Sequence, residues 1–416
     1  METNTVKRRK ILFLAQPGGT LVGPGKPFAD HWELCRHARK EWGFTGVSAP
    51  TCPPYVDIDG MATSDDVLKR TLDAYEECGT PLIRLESHCD GMRTVVTPHD
   101  AARIAGFGPN ELLNVHHRQH ESAAEKRMLK IVEVSARAKF TELVDFGGNR
   151  LWHALSAFPA WPKLLLLYML LLQIFKHRTV LRRCAELGIK RCFELHPGMD
   201  LNSAYLLFLF RELAKIVAPE IVAAIFANGD PSHPTMAGDS AANQFRFLVK
   251  HGLLGAVHLK DAALRNQELS AEEVATAPDY ILGGSIRGDF APRWSRSCRF
   301  FCSYGTGDSN LGVINPLILA SGVRDMVAEL ECSRFPDMTQ GAEIVSQNID
   351  RMMTSQPMLD WRQIPVRQST LGNWEEFAVD PKQRAQTLAF ADSQEDAGVM
   401  NMLSMIQGSP LLALFE

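Results

Sequence analysis

The feature that most limits what this chain can become is an alternation. Short apolar runs are followed, again and again, by amphipathic segments of helical period. "KILFLAQ" precedes "HWELCRHARKEW", "GFTGVSAP" precedes "DDVLKRTLDAYEECG", and "IKRCFELHP" precedes "SAYLLFLFRELAKIVAP". "IVAAIFANGDPSH" precedes "AANQFRFLVKHG", and "RDMVAELEC" precedes "TQGAEIVSQNIDRMM". About eight strand-then-helix units succeed one another over about 350 residues, the rhythm of a parallel α/β protein. Eight units suit a (β/α)8 TIM barrel with insertions better than an open sheet. No Gly-x-Gly-x-x-Gly follows the first strand, which argues against a dinucleotide-binding sheet.

The alternation stops near Ser355. The expected organisation is therefore a barrel over residues 1–354 and a C-terminal extension over 355–416. Trp361, Trp374 and the closing "LLALFE" give the extension apolar anchors, so it is expected to pack on the barrel or on a partner subunit.

Charge and cysteine content narrow the setting. Lys and Arg number 44 against 48 Asp and Glu, a net charge of −4, which offers nucleic acid or an anionic membrane no general attraction. The opening "METNTVKRRKILFLAQ" lacks the h-region of a secretory signal. The nine cysteines show no Cys-x-x-Cys pair and read as small buried hydrophobes in a reducing compartment, so a cytoplasmic location is expected. The run from Leu164 to Phe175 falls short of the roughly 18–20 residues of a membrane span. Being apolar all round, it is expected to form a helix buried on several sides, without stable membrane insertion. A subunit interface in a homo-oligomer is the sharper alternative.

In barrels, chemistry collects where strands end and βα loops begin. The fifth expected strand, in "IKRCFELHPGMDL", ends in Glu194 with His196 two residues on, and residues i and i+2 of a strand share a face. The sixth runs into "NGDPSH", with Asp230 and His233; the seventh ends "VHLKD", with His258 and Asp261; the eighth ends "VAELEC", with Glu329 and Glu331. Any one of these could be a hydrogen-bonded polar group at a strand end. Several carboxylates at one dry rim repel one another, and a divalent cation supplies the compensation. A mixed oxygen and nitrogen shell makes Mn²⁺ the first choice, with Mg²⁺, Co²⁺ and Zn²⁺ as alternatives.

These pieces bring a family into view. "FELHPG", "DPSH", "HLKD", "YGTGD" and "AELEC" make the second half similar to the xylose isomerase-like TIM barrels, the sugar phosphate isomerase/epimerase superfamily that also includes endonuclease IV-type repair enzymes. The resemblance runs from about Ile189 to Met353, and more loosely back to the first strand. It implies metal ligands at Glu194, Asp230, His258 and Glu329, with Glu331 a nearby carboxylate. It also implies that His233 touches substrate oxygens or orients a ligand. Two departures stand out: Asn-Gly before the aspartate of "NGDPSH", and a Leu-rich run where the family has an amphipathic helix.

Further candidates lie on the earlier strands. His88, in "LESHCDG", is placed at the same rim. Gly147 and Gly148, in "VDFGGNRLWHA", permit close backbone approach to a ligand, and Trp152 offers a ring for stacking. His116, His117 and His120, in "NVHHRQHES", read as solvated or capping groups at a helix start. "PGGTLVGPGKP" could serve as a lid, and it lacks the ending of a P-loop.

The resulting expectation is a metal-dependent isomerase or epimerase with a small-molecule substrate, a sugar-like hydroxy-ketone. Glu194 and Glu329 would move a proton next to the carbonyl through an enediolate, while His88, His196, His233 and Trp152 would line the substrate site. The alternative is a metal-dependent lyase or dehydratase acting on a keto-sugar, polyol or specialised metabolite. Abasic-site cleavage and a non-catalytic binding role are weaker: the acidic balance argues against gripping phosphates, and the ligand set is intact.

Overall fold

The structure, a computed structural model, describes residues 7–14, 21–23, 26–96, 116–151, 163–262, 301–330 and 338–365, with 367, 398, 401, 402, 404, 405 and 409. Trp152, Glu331 and most of the candidate lid fall outside them. The strands are β1 (Arg9–Phe13), β2 (Gly46–Pro50), β3 (Leu82–Glu86), β4 (Glu142–Asp145), β5 (Lys190–Glu194), β6 (Ile225–Gly229), β7 (Leu254–Leu259), β8 (Asp261–Ala262), β9 (Phe301–Cys302) and β10 (Asp325–Ala328). All but β8 and β9 close into a barrel in the order β1-β10-β7-β6-β5-β4-β3-β2, while β8 and β9 form a separate antiparallel pair. This is the (β/α)8 barrel that the alternation predicts. Strands covered on both faces read as continuous apolar runs, and every residue of β7 is buried.

By packing, the chain divides into two units, Met1–Leu85 with Gly229–Ala378 and Glu86–Asn228 with Val379–Glu416. In the first, β1 pairs with β10 so that Arg9 stands opposite Asp325. The guanidinium grips that carboxylate at 2.7 and 2.9 Å, a charge-assisted fork that fixes the register. Ile11, Phe13, Ile83 and Val327 pack together in its core. Lys10, alternating with Ile11, is buried too; its ammonium reaches Asp350 at 2.6 Å and Ser346 Oγ at 3.1 Å. Those contacts tie the helix Met338–Met353 to β1. The helix His31–Lys40 starts where Asp30 accepts the Glu33 N–H at 2.8 Å, a cap for one of the donors a helix start leaves unbonded.

In the second unit, β4 and β5 run parallel with Asp145 opposite Phe193. The Leu-rich run lies in a 24-residue helix, Lys163–Glu186, the one helix among the described residues that is long and apolar enough to cross a membrane. It buries Leu167 and all of 169–174, while Leu164 stays 62% exposed. Its buried Gln173 and His177 were hidden by that composition. His177 Nε2 lies 2.9 Å from the Gly147 carbonyl and 2.8 Å from Gln173 Oε1, and Gln173 Nε2 donates to Asp200 Oδ2 at 2.6 Å. A polar stripe in an apolar helix thus fastens the loops that follow β4 and β5. From the extension, Gly398 presses on Phe175 of this helix so closely that an added Cβ would stand 2.6 Å from the ring.

Candidate metal centre

Three of the expected ligands come together in the first unit. Asp230 follows β6, His258 lies in β7, and Glu329 follows β10; all three are buried. One ligand atom from each lies within 4.8 Å of the others. Donors around an octahedral ion stand about 3 Å apart when adjacent and about 4.3 Å when opposite, so a small tightening seats one ion among them. The donor chemistry fits as well, two carboxylates and an imidazole with hard oxygen in the majority.

Each of these three side chains is aimed by a neighbour. Asp230 Oδ1 accepts from the Ser232 backbone N–H and from Ser232 Oγ, both at 2.7 Å. That turn directs Oδ2 toward His233 Nε2 at 3.3 Å and Lys260 Nζ at 3.5 Å. The His258 ring stacks on Phe13, with centroids 5.3 Å apart and planes at 22°, and its Nδ1 lies 3.5 Å from Glu329 Oε2. Gly229 lets β6 pass under Leu254 and Phe245, where an added Cβ would stand 2.8 and 2.9 Å from their side chains. His233 thus lies against Asp230, one of the expected ligands. Asp261 turns out to be a fastener: it accepts the backbone N–H groups of Gly307 at 2.9 Å and Ser309 at 3.2 Å, pinning the "YGTGD" loop to the end of β7. Burial pushes its carboxyl up, against the pull of those donors.

Lys260 is the residue that sequence reasoning passed over. Its ammonium stands 2.9 Å from Glu329 Oε2 and 3.5 Å from Asp230 Oδ2, buried, with the face of Phe301 4.4 Å away. The sequence signal was weak, since β7 ends at Leu259 and strand alternation does not set the direction of the residue that follows it.

The second unit holds Glu194 and His88. Glu194 ends β5; its Oε2 lies 2.8 Å from His88 Nε2 and accepts from Asn228 Nδ2 at 3.1 Å. Asn228 stands opposite Glu194 in the β5–β6 register, so the Asn-Gly departure in "NGDPSH" supplies a buried donor to the expected ligand. Glu86 lies 3.9 Å from the same His88 nitrogen. Phe146 packs between His88 and His196, its ring 4.6 and 5.1 Å from theirs. β5 ends at Glu194, so strand alternation does not set the direction of His196, whose Nδ1 lies 2.5 Å from the Pro197 carbonyl. His116 caps the helix His117–Arg137, and the ring of His120 is buried.

Behind Glu194 lies a buried charge pair. Arg191 Nε donates to Asp145 Oδ2 at 2.8 Å with both side chains fully buried, and Arg191 Nη1 stands 3.0 Å from His177 Nδ1. Burial pushes the Asp145 carboxyl up to about 6 although Arg191 pulls it down. Burial, and next the Arg191 charge, hold the His177 imidazole well below its ordinary range. Neutral His177 accepts from the guanidinium at Nδ1 and carries its proton on Nε2, toward Gly147 and Gln173. Asp200, which accepts from Leu151 N–H at 2.8 Å, is pushed up to about 7 by burial.

No protein-family model matches the chain, and no curated protein does. Solved structures similar to it include a xylose isomerase domain protein from Planctomyces limnophilus, at 10% identity and TM-score 0.49 over 85% of this chain and 98% of that one. A 3-keto-D-glucoside 4-epimerase from E. coli follows at 14% identity and 0.48, over 84% of this chain and 100% of that one. The probable 3-DHS dehydratase of petrobactin synthesis from Bacillus anthracis stands at 10% and 0.49, over 79% and 97%. Epimerases and dehydratases thus appear side by side, so the likeness selects no reaction. The fold itself rests on the closed parallel barrel that the described strands form.

Proposed function

We propose that this chain is a divalent-metal-dependent isomerase or epimerase acting on a sugar-like hydroxy-ketone. The observation that carries the reading is the buried convergence of Asp230, His258 and Glu329, whose ligand atoms lie within 4.8 Å of one another. These three would hold the ion, Mn²⁺ by first choice, with Glu194 as the fourth ligand. When bound, the ion polarises a carbonyl and stabilises charge on the oxygen beside it. The chain's own groups do the rest. Glu194 or Glu329 removes the proton from the carbon next to the carbonyl, giving an enediolate. Its return to the other face yields an epimer, and its return to the neighbouring carbon yields an isomer. His88 and Asn228, both on Glu194 Oε2, fix the plane of that carboxylate. His196 and Trp152 remain proposed as pocket residues.

The test is a screen of keto-sugars in D₂O with the metal-loaded protein. Deuterium should enter next to the carbonyl, and Glu194→Gln and Glu329→Gln should each abolish it. Exchange retained in both variants defeats the proton-transfer roles. Loss of water from the product would move the assignment to a lyase.

A further inference from the structure

The lysine among the ligands asks for an explanation. A buried ammonium is costly unless paired, and Lys260 is 1% exposed. Its partners are two of the carboxylates that the proposed ion needs, Glu329 Oε2 at 2.9 Å and Asp230 Oδ2 at 3.5 Å. Both distances are those of a cation bound by carboxylates, so the ammonium neutralises the cluster much as a metal ion would. It also has somewhere to go. The Phe301 ring lies 4.4 Å from Nζ, and an aromatic face attracts a lysine displaced from its carboxylates. The four-carbon stem supplies the reach for the small movement between the two.

We propose that Lys260 is a tethered cation that occupies the ligand cluster of the metal-free protein, and that a divalent ion must push it aside to bind. The inference rests on the metal-centre reading and concerns the strength and control of loading. The ammonium and a divalent ion compete for the same two carboxylates and repel each other across them. Lys260 therefore weakens metal binding while stabilising the empty protein. It is a positioning residue here, acting through Glu329 and Asp230.

Calorimetric titration of the full-length, metal-stripped protein with Mn²⁺ tests this, with melting temperatures taken in parallel. Lys260→Met should bind Mn²⁺ at least tenfold more tightly than wild type. Its metal-free form should melt lower, and its rise in Tm on adding Mn²⁺ should be larger. Lys260→Arg keeps the charge and should stay within about threefold of wild type, a rescue that follows from charge and not from packing. Lys260→Gln, which preserves hydrogen bonding, takes the place of the Met variant if that one does not fold. Unchanged or weaker affinity in the uncharged variant, with wild type binding normally, overturns the role of Lys260 and leaves the metal centre standing. Failure of wild type and all variants to take up Mn²⁺, Mg²⁺, Co²⁺ or Zn²⁺ overturns both. Uptake by the uncharged variant alone is the extreme form of the expected result.

Discussion

Asp145 and Arg191 form a pair whose two members should fail differently. Asp145→Asn leaves the Arg191 guanidinium fully buried, and arginine cannot shed its charge. Its remaining contacts, His177 Nδ1 at 3.0 Å and the Phe193 ring at 4.6 Å, do not supply a counter-charge. Breaking one partner out of a buried pair costs about 3–5 kcal/mol, and because wild type itself loses about 1.4 kcal/mol as Asp145 ionises, the deficit of the variant should narrow by that amount from pH 5 to pH 8. Arg191→Met leaves a carboxyl instead, and a carboxyl can neutralise itself. Asp145 already sits near 6 in the presence of Arg191, and without the guanidinium it rises further. A folded-state pKa raised above the unfolded value gives stability that is complete below the unfolded pKa and lost as pH rises through the folded one. A native carboxyl protonated throughout loses roughly 4 kcal/mol from pH 5 to pH 8, at about 1.4 per pH unit. One titrating near 6, as in wild type, loses only about 1.4 kcal/mol over the same range. The gap between Arg191→Met and wild type should therefore widen by roughly 2–3 kcal/mol. Urea unfolding at a series of pH values reads this directly. A pH-independent deficit in Arg191→Met, or an Asp145→Asn variant within about 1 kcal/mol of wild type, would refute the account.

Other sites give simpler tests. Asn228→Asp sets two carboxylates against each other where a 3.1 Å hydrogen bond stood; it should cost about 1–3 kcal/mol by urea unfolding, more at pH 8 than at pH 5. Asp261→Ala removes the acceptor for the Gly307 and Ser309 N–H groups, so limited proteolysis should cut within 303–309 faster than in wild type. Stripping bound metal should lower Tm, and returning Mn²⁺ should restore it with a rise that grows with concentration, because an ion bound to the folded state alone stabilises by mass action.

The barrel was legible because its signal is repeated. Strand runs such as "KILFLAQ" are hydrophobic from end to end since both faces of β1 are covered, and helices such as His31–Lys40 keep an apolar stripe. The Leu-rich helix was legible only in part. Its leucines declare burial, but Gln173 and His177 gain meaning from Gly147 and Asp200, groups well removed in sequence. Hydrophobic periodicity reports which face is inside and says nothing about which buried polar atoms meet there.

The candidate site divides along the same line. Asp230, His258 and Glu329 could be read because each stands at the end of a strand, where the barrel itself dictates direction. Lys260 stands just past the end of β7, so alternation alone does not set its direction; its contacts with Glu329 and Asp230 do. The lysine was missed because a cation looks out of place in a metal site, although buried carboxylates must be neutralised whether or not an ion is bound. Asn228 stands out for the opposite reason, as a departure from the family pattern, and its effect is visible only in the register that puts it opposite Glu194. Ligands at strand ends follow from local geometry; the groups that orient or compete with them depend on strand pairing. Those partners are therefore where this chain can differ from the barrels its motifs resemble, in the proposed grip on metal and the proposed handling of the proton.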